Sequence, residues 1–598
     1  MRKVKVIFWT FSGFSFLLLL RLFYLQVLSG SRYSQFANFQ SIRRIILTAP
    51  RGKIFDQRGR VLADVKPSFS LSVLPRELDS FAQKELEKYF AWDKNILVGQ
   101  EASYSPVEII NNIPKEKALE LEEALSGLRG IRLEVKPIRF YPYPFLFHVL
   151  GQVNKVSYEE WQRDKSYERS DFIGRQGLER WYEKILRGIN GCRLVEVDAR
   201  GREIGNLPEV KEIKPIAGCD LYLSLDLDLF FLADSLFRPY QRGACVAIDP
   251  RDGRVLLLYS KPYINPNLFL SSIPQEVWER VKNNPQKPLF NRVTQAQFPP
   301  GSTLKPLIAL SGLKKGILTK NTRFSPCEGG LKFGNRYFRC WTAHGSLNLI
   351  QAIAQSCNTY FYQLGRAIGL EDIIKTASEF PFGKKTGIEL TEEEGFLPTP
   401  EYLNRKYKGQ VPKGIVLNLA IGQGEILVTP LQLALFYCAI ARKGEFFLPH
   451  LVDSIKFPCG VYHPPFLDSL PFAPLERDGE TTYVALRQSQ RINLPKEFFQ
   501  IIDDALEMAV SQGTGRGAYL SEVAVCGKTG TAQNPFGLDH SWFVGYAPKD
   551  TPSIVVCVLV ENVGKGGAHS APIAGRIIQR YFSLRRETTN RPENRCGP

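Results

Sequence analysis

Apolar and polar positions divide the chain into three parts with different periodicity. Residues 6–28 are apolar almost without interruption, Arg21 and Gln26 being the chief exceptions. Short strand-like and amphipathic helical segments follow from about 29 to 215. From about 216 to 583, strand-like segments at both ends enclose a middle with helical spacing. The pattern predicts an α+β protein with a cytoplasmic stub and a transmembrane helix over 1–28, a second region over 29–215 and a larger domain over 216–583. The polar residues 584–598 are predicted to be a disordered tail.

The first apolar segment is long enough to span a membrane. Its residues 6–28 reach ~34 Å as a helix, which exceeds the hydrocarbon thickness of a bilayer. Arg2, Lys3 and Lys5 precede it, so the N-terminus is expected in the cytoplasm and the rest of the chain outside it. The alternative is a cleaved signal peptide, although the segment is long and lacks an Ala-x-Ala site.

The third part carries the signals of one antiparallel sheet packed by helices. Leu221, Leu223 and Leu225 alternate with polar residues, which predicts a half-buried strand. Residues 244–248 and 255–259 are apolar and enclose the turn residues 249–253, which predicts a hairpin. Strand patterns return at 528–530 and 542–546. Strands from both ends of this part can therefore form a single sheet.

A serine and a lysine lie three residues apart where a helix should begin. Pro306 must lie in the first turn, which places the start of the helix close to Ser302. Residues three apart are neighbours on a helix, so Ser302 Oγ and Lys305 Nζ can meet. Unpaired N–H groups at the same helix end can stabilise an oxyanion. The pattern predicts a nucleophile with its base, although the spacing alone also occurs by chance.

Two further motifs follow in order, Ser356-Cys357-Asn358 and Lys528-Thr529-Gly530. Together with Ser302-x-x-Lys305 they resemble the motif set of penicillin-binding proteins, with cysteine at the middle position of the second motif. Segments 21–27, 50–63, 139–142 and 174–179 resemble the N-terminal and pedestal signatures of the class B, monofunctional members. The resemblance covers almost the whole chain. It implies an elongated pedestal, a dimerisation-like domain, over 29–215 and a transpeptidase domain of the penicillin-binding and β-lactamase-like fold over 216–583. A glycosyltransferase domain is not recognisable, so glycan polymerisation is expected from another protein.

The residue types fit acyl transfer. Ser302 is the expected nucleophile, and Lys305 can accept its proton only when neutral. At an ordinary pKa only about one lysine in 2,500 is neutral at pH 7, so burial and the charge of Lys528 are expected to lower the Lys305 pKa. Ser356 is expected to relay the proton to the leaving amine, and Asn358 to hold the substrate amide.

The third motif is expected to bind the other end of the substrate. Lys528 should stay protonated and attract the terminal carboxylate, to which Thr529 and Thr531 can donate hydrogen bonds. The resemblance implies an oxyanion hole made by the backbone N–H groups of Ser302 and Thr531. Gly530 is expected to lack a side chain because an extended peptide lies against this strand edge.

A possible metal site overlaps the second motif. Cys327, Cys340, His344 and Cys357 form a complete tetrahedral ligand set for zinc within 31 residues. The resemblance to the cell-elongation branch of the family implies one structural Zn²⁺ here, with no catalytic cofactor. The alternatives are buried free cysteines with a hydrogen-bonded histidine, or a Cys327–Cys340 disulfide.

Charge and composition exclude other classes of function. The net charge is +17, but no nucleic-acid-binding signature accompanies it, so a membrane surface or an anionic wall polymer is the expected neighbour. The 11 cysteines are too dispersed for a disulfide scaffold. His540 and His569 are expected to be structural, and 512–517 lacks the context of a nucleotide-binding loop.

The resemblance implies a peptidoglycan D,D-transpeptidase that forms an acyl-enzyme on Ser302, cross-links stem peptides during cell elongation and is inhibited by β-lactams. The implied partners are the inner membrane, a RodA-type glycosyltransferase and elongation-complex proteins. The alternatives are a cell-division transpeptidase, a D,D-carboxypeptidase or β-lactamase, and a β-lactam sensor or scaffold that does not turn over. The acceptor amine stays open.

Overall fold

The structure is a computed structural model that describes residues 2–28, 42–89, 97, 106–125, 127–168, 170–197, 203–206, 212–271, 273–457, 470–477, 480–535 and 537–589. Its α-helices are α1 (Arg2–Phe23), α2 (Ser80–Tyr89), α3 (Lys115–Leu125), α4 (Phe147–Leu150), α5 (Tyr158–Arg163), α6 (Gly177–Trp181), α7 (Glu183–Leu186), α8 (Leu227–Leu236), α9 (Gln275–Lys282), α10 (Lys305–Lys314), α11 (Leu349–Ala354), α12 (Asn358–Ile368), α13 (Leu370–Glu379), α14 (Pro400–Lys406), α15 (Ile415–Leu419), α16 (Pro430–Ala441), α17 (Lys496–Ser511) and α18 (Gly566–Thr589). Its strands are β1 (Ile42–Leu47), β2 (Ile54–Phe55), β3 (Val61–Val73), β4 (Val107–Ile113), β5 (Ile131–Phe140), β6 (Val153–Lys155), β7 (Phe172–Gly174), β8 (Gly191–Val197), β9 (Glu203–Asn206), β10 (Asp220–Leu223), β11 (Gly243–Ile248), β12 (Val255–Lys261), β13 (Gly330–Phe333), β14 (Arg336–Arg339), β15 (Glu445–Phe447), β16 (Val452–Lys456), β17 (Phe472–Arg477), β18 (Glu480–Ala485), β19 (Ser489–Arg491), β20 (Cys526–Ala532), β21 (His540–Ala547) and β22 (Ile554–Val560).

The chain forms two compact units. One contains residues 1–51, 65–138 and 187–218, and the other contains 52–64, 139–186 and 219–598. The division is discontinuous because the chain passes repeatedly between the units, as in β3, which begins in the larger unit and ends in the smaller. The continuous boundaries expected at 28, 215 and 583 stay predictions.

The larger unit is organised around a five-stranded sheet in the order β12-β11-β22-β21-β20. All four pairings are antiparallel, and β11 and β12 form the predicted hairpin. Every residue of β11, β21 and β22 is buried, so both faces of these strands are covered. Helices α16 and α18 pack against this sheet. The predicted antiparallel sheet with packed helices is therefore confirmed, and β20, which carries the third motif, lies at its edge.

The smaller unit has its own core. Strand β3 pairs with β4 and β5, and β1, β8 and β9 form a three-stranded sheet. Helices α2 and α3 lie within the stretch predicted to be amphipathic, and strand β4 separates them. Apolar side chains from these helices and strands pack into one buried cluster, formed by Leu71, Val73, Leu86, Ile113, Ala118, Leu121 and Leu125. Their burial supplies the main stabilisation of this unit.

The N-terminal segment is helical throughout its described length. Helix α1 continues as a π-helical turn over Tyr24–Leu28. By length and composition, Ile7–Leu28 can cross a membrane. The Arg21 guanidinium lies 5.6 Å from the centre of the Tyr24 ring, a pairing suited to the interface between hydrocarbon and water.

The first residues of the stretch that was predicted to be disordered, 584–598, are helical instead. Helix α18 continues to Thr589. Leu584 is buried one turn after the buried Tyr581, so the apolar face of the helix extends past residue 583. Arg586 also forms an ion pair with Glu522 at 2.6 Å. The rest of the predicted tail lies outside the described residues.

Ion pairs occupy the polar positions of the pedestal signatures. The buried Arg139 and Glu179 side chains are 2.6 Å apart, and the Arg139 guanidinium also donates to the carbonyl oxygen of Gly52. Arg175 pairs with Glu160. These arginines and glutamates therefore have structural partners, and removing one partner of the buried pair would leave an uncompensated charge.

A buried histidine makes stability depend on pH. His148 is 2% exposed, and its Nε2 lies 2.9 Å from the Pro262 carbonyl oxygen. Within the described part of the chain, its buried Nδ1 has no hydrogen-bond partner. Burial lowers the pKa of His148 to about 4. Because unfolding restores an ordinary pKa of ~6.5, the unfolded chain binds the additional proton as the pH falls below that value.

We therefore expect the stability contributed by the neutral His148 ring to be fully present above about pH 6.5. The free energy of unfolding should then fall by about 3 kcal/mol between pH 6.5 and pH 4. Urea unfolding of the wild type and of His148→Gln at pH 7, 5.5 and 4 measures this difference. The free energy of unfolding of the wild type should fall relative to that of His148→Gln as the pH falls. A constant difference between the two proteins would show that His148 does not carry this dependence.

Candidate active site

Ser302 lies on a tight turn that feeds directly into α10. A 3₁₀-helix spans Gly301–Leu304, α10 begins at Lys305, and Pro306 lies in its first turn as predicted. Gly301 has φ +58°, and a Cβ there would lie 2.6 Å from the Thr531 carbonyl oxygen. Glycine is therefore required at this position both by conformation and by close approach of β20. The turn leaves Ser302 partly exposed in front of a buried helix.

Lys305 is a fully buried lysine with a defined set of partners. Its Nζ lies 2.7 Å from the Ser356 carbonyl oxygen, 2.8 Å from Asn358 Oδ1 and 3.2 Å from Ser356 Oγ. The predicted approach to Ser302 Oγ is not among its hydrogen bonds in the described structure. Burial lowers the pKa of Lys305 to about 8, so about one lysine in ten is neutral at pH 7. The second motif, more than the first, holds the candidate base.

Ser356 has a backbone conformation that normally belongs to glycine. Its φ is +55°, and it follows α11 at the position of a Schellman motif. Its N–H donates to the Ile353 carbonyl, and the N–H of Cys357 donates to the Ala352 carbonyl, which are the two bonds that define this motif. The conformation directs both the carbonyl and the hydroxyl of Ser356 at Lys305, and Asn358 then begins α12.

Two substitutions can separate the backbone strain at Ser356 from its chemistry. Ser356→Gly and Ser356→Ala both remove the hydroxyl that contacts Lys305. Only glycine relieves the positive φ, so we expect the glycine variant to be more stable by about 1 kcal/mol. Both variants should lose acyl transfer to a similar extent. Thermal unfolding together with an acyl-transfer assay measures the two effects, and equal stability would contradict the role given to the backbone.

Lys528 and Thr529 meet a threonine that sequence analysis did not identify. Lys528 Nζ lies 3.4 Å from Thr514 Oγ1, and the Thr529 hydroxyl donates to the same oxygen at 2.8 Å. The backbone N–H of Thr514 reaches the Ala354 carbonyl of α11 at 3.4 Å. Thr514 therefore links the third motif to the helix that precedes Ser356. Closely spaced glycines at 513, 515 and 517 indicate a tight loop, but no local signal identifies which segments it contacts.

The electrostatics of Lys528 differ from the expectation. Lys528 is completely buried, and burial together with the nearby Lys305 charge lowers its pKa well below the ordinary value. Sequence analysis expected burial to act on Lys305 and Lys528 to stay protonated. In the structure the pKa values of both lysines are lowered, because burial removes water from both ammonium groups. A substrate carboxylate next to Lys528 would oppose this shift and favour the ammonium form.

The end of β20 packs against the turn that carries Ser302, residues 300–304, which we call the serine turn. The Thr531 carbonyl accepts a hydrogen bond from Gln423 Nε2 at 2.9 Å. A Cβ on Gly530 would lie 2.8 Å from the Pro300 carbonyl oxygen and 2.9 Å from Thr303 Cγ2. These contacts give a second reason for a glycine at 530, and the expected one, room for a bound peptide, stays a prediction. The missing side chain of Gly530 makes room for the turn that presents Ser302.

The four candidate metal ligands come together. Their ligand atoms, from Cys327, Cys340, His344 and Cys357, all lie within 4.8 Å of one another. His344 Nδ1 is 3.5 Å from the sulfurs of both Cys327 and Cys340. Zn–S and Zn–N bonds of ordinary length in a tetrahedron separate sulfur and nitrogen by about 3.5 Å. The cysteines are free thiols, so the alternative of a Cys327–Cys340 disulfide is not what the structure contains.

The cluster is connected directly to the second motif. Cys357 is the N-cap residue of α12, and the backbone N–H of Asn358 donates to Cys340 Sγ at 3.2 Å. A hydrogen bond from the Cys357 thiol holds the pKa of Cys340 well below its ordinary value. Any change in the cluster therefore acts on the residues that hold Lys305.

The two histidines near the third motif have structural partners. His540 Nδ1 accepts a hydrogen bond from the Asn562 backbone, and its ring centre is 4.4 Å from that of Phe298. His569 Nδ1 lies 3.3 Å from the Tyr240 hydroxyl. These contacts agree with the structural roles expected for both residues.

Comparison with known proteins identifies the family. Residues 243–579 match the penicillin binding protein transpeptidase domain, and 46–223 match the penicillin-binding protein dimerisation domain. A relative from Acinetobacter baumannii, peptidoglycan D,D-transpeptidase MrdA, is 32% identical over 96% of this chain and 86% of its own length. The chain is a class B penicillin-binding protein. The predicted family and α+β fold class are thereby confirmed for this penicillin-binding protein.

Solved structures agree over nearly the whole chain. A complex of penicillin-binding protein PBP2 with MreC from Helicobacter pylori matches with a TM-score of 0.76 and 27% identity, covering 91% of this chain and 99% of the other. A structure entitled "Structural coordination of polymerization and crosslinking by a peptidoglycan synthase complex" matches with a TM-score of 0.71 and 30% identity, covering 97% and 98%. Within the family, these similarities place the chain among the PBP2-like members.

Proposed function

We propose that this penicillin-binding protein is the peptidoglycan D,D-transpeptidase of cell elongation and that it works through an acyl-enzyme on Ser302. The D,D-transpeptidase relatives and the transpeptidase domain support the reaction. The observation that carries the residue assignment is the buried Lys305, whose pKa is lowered to about 8 and whose Nζ contacts Ser356 and Asn358 of the second motif.

The contacts of Lys305 favour a neutral amine that can accept a proton. Two of its partners, the Ser356 carbonyl and Asn358 Oδ1, are hydrogen-bond acceptors and take two N–H groups. A neutral amine then has one lone pair left, which can accept a proton from a hydroxyl. We propose that this lone pair takes the proton of Ser302 Oγ as the oxygen attacks the carbonyl carbon of the penultimate D-alanine.

The remaining groups complete the acyl transfer. Lys305 returns the proton, through the Ser356 hydroxyl, to the nitrogen of the departing D-alanine as the peptide bond breaks. An amine of a second stem peptide then loses a proton along the same route, attacks the ester carbonyl and releases Ser302. Lys528, Thr529 and Thr531 hold the terminal carboxylate, and the backbone N–H groups of Ser302 and Thr531 hold the oxyanion. Each oxyanion donor is worth about 3 kcal/mol in the transition state.

Covalent labelling tests this assignment. A fluorescent penicillin should acylate the full-length protein on Ser302, and the label should persist for many minutes because the site favours an amine over water as acceptor. Rapid loss of the label would favour a β-lactamase or a D,D-carboxypeptidase. Transfer of the acyl group from a D-Ala-D-Ala peptide to an added amine distinguishes a transpeptidase from a sensor.

The similar proteins also support the elongation role and its partners. One is in complex with MreC, and another belongs to a peptidoglycan synthase complex that couples polymerisation with cross-linking. We infer partners of the same kind for this chain, among them elongation-complex proteins and a RodA-type glycosyltransferase. We also infer a single-pass anchor through Ile7–Leu28 in the inner membrane, with the catalytic domain in the periplasm because Arg2, Lys3 and Lys5 precede the span.

We propose that Cys327, Cys340, His344 and Cys357 hold one structural Zn²⁺. The support is the soft donor set and the 3.5 Å separations of sulfur from His344 Nδ1, which fit tetrahedral zinc. Four protein ligands leave no open position, so the ion would fix the loop of the second motif and take no part in the reaction.

Removal of the metal ligands should loosen the catalytic loop. His344→Ala, combined with Cys340→Ser, is expected to eliminate stoichiometric zinc in elemental analysis and to lower the unfolding midpoint by several degrees, because structural zinc contributes folding free energy. Cys245→Ser, a change of a buried cysteine in β11, is the control and should keep its zinc. Purified wild-type protein without stoichiometric zinc would contradict the site.

A further inference from the structure

The β13–β14 hairpin presents one apolar face and one charged face. Its register pairs Leu331 with Phe338 and Lys332 with Tyr337, and Gly330 with Arg339. Leu331 and Phe338 pack with the buried Tyr362 and Leu417. Because side chains alternate across a strand, Lys332, Tyr337 and Arg339 share the opposite face. We call these three side chains the hairpin face.

The hairpin face is exposed to solvent and carries two charged groups that could bind a ligand. All three side chains are exposed, and the Tyr337 side chain is 52% accessible. A Cβ on Gly330 would lie 2.6 Å from the Tyr337 ring, so the ring occupies the space beside the glycine. Among the residues that the structure describes, neither Lys332 nor Arg339 has an ion-pair partner. Two cations thus flank an exposed aromatic ring.

The hairpin is hydrogen-bonded to the second motif and to α12. The Arg339 carbonyl accepts hydrogen bonds from Asn358 Nδ2 at 3.4 Å and from the Tyr362 hydroxyl at 3.2 Å. The donor's terminal carboxylate is assigned to Lys528 and Thr529 on β20. The incoming amine must instead reach the proton route through Ser356. A peptide that brings this amine can therefore cross the hairpin.

We propose that the hairpin face binds the acceptor strand of the transpeptidation through free carboxylates of its stem peptide. The inference rests on the proposed function and assigns a substrate-recognition surface to it. The Lys332 ammonium and the Arg339 guanidinium pair with carboxylates, and the Tyr337 ring covers an apolar part of the peptide between them. The charge of the face is complementary to an anionic peptide and unsuited to a cationic one.

The experiment measures a preference between two acceptors. Full-length protein acylated by a D-Ala-D-Ala donor is offered an amine-bearing stem peptide with free side carboxylates, or the same peptide with these groups converted to carboxamides. The wild type should prefer the carboxylate form about five- to tenfold in KM, the effect of two exposed charge pairs. The preference should disappear near 1 M salt, where the Debye length is about 3 Å.

A charge-matched pair of variants identifies the surface. Lys332→Gln with Arg339→Gln should bring the preference close to one. The control, Lys282→Gln with Lys496→Gln, removes two exposed charges elsewhere on the same unit and should keep the wild-type preference. If the hairpin variant keeps the preference, or the control loses it equally, the inference is overturned.

Different results would contradict the proposed function and the inference about the hairpin face. A wild-type protein that takes no penicillin label would overturn the proposed function and this inference with it. A labelled wild type that treats the two acceptors alike would overturn the inference alone.

Discussion

Replacing Lys305 by methionine is expected to lower the rate constant for acylation of Ser302 about 10³-fold, the usual loss when a general base is removed. Methionine resembles the lysine side chain in length and suits a completely buried position, but it has no lone pair that can accept the serine proton at neutral pH. Stopped-flow measurement of penicillin acylation gives the rate constant directly.

The matched control is Lys314→Met at the other end of the same helix. Lys314 is exposed to solvent and pairs with Glu379 at 2.5 Å, so its loss should change the unfolding free energy by less than about 1 kcal/mol and leave acylation intact. A Lys305→Met protein that acylates within tenfold of the wild type would show that another group takes the proton.

Gly422→Ala is expected to lower acylation at least about 10²-fold, although Gly422 touches no substrate. A Cβ at this position would lie 2.1 Å from the Gly301 carbonyl oxygen, and the Gly301 N–H donates to the Gly422 carbonyl at 2.8 Å. The backbone that positions Ser302 would have to move, and a displacement of about 1 Å in a reacting group is enough for such a loss.

Gly424→Ala separates crowding from backbone strain. Both glycines have positive φ, +69° and +86°, so alanine costs roughly 1 kcal/mol of strain at each. A Cβ on Gly424 would meet only Asn418 Cβ, at an ordinary 3.5 Å. The acylation rate should fall steeply in Gly422→Ala and little in Gly424→Ala. Equal losses would mean that strain, and not contact with the serine turn, is responsible.

Patterns of local origin allowed the fold to be predicted. The hairpin of β11 and β12 follows from two apolar runs around turn residues, and the helix start at Ser302 follows from the position of Pro306. Both depend on neighbours in sequence, where conformational preference and periodicity act directly. Residues 584–589 were predicted to be disordered because most of them are polar, whereas helix α18 continues to Thr589 and buries Leu584.

The parts of the site that sequence analysis missed depend on long-range contacts. Thr514 meets Lys528 and Thr529 only because a glycine-rich loop returns to β20. The motif spacing predicted a contact between Ser302 and Lys305, but it did not predict the three contacts that Lys305 makes with Ser356 and Asn358, 51 and 53 residues away. The close approach of Gly530 to Pro300 of the serine turn could not be predicted either, because the two residues are far apart in the sequence.

The central claim is that Ser302 forms the acyl-enzyme, and one measurement tests it most directly. Full-length protein and Ser302→Ala are incubated with a fluorescent penicillin, and the labelled peptide is located by mass spectrometry. The account predicts one label per wild-type chain, on Ser302, and none on the variant. A label on Ser356 or another residue of the wild type, or equal labelling of the variant, would contradict it.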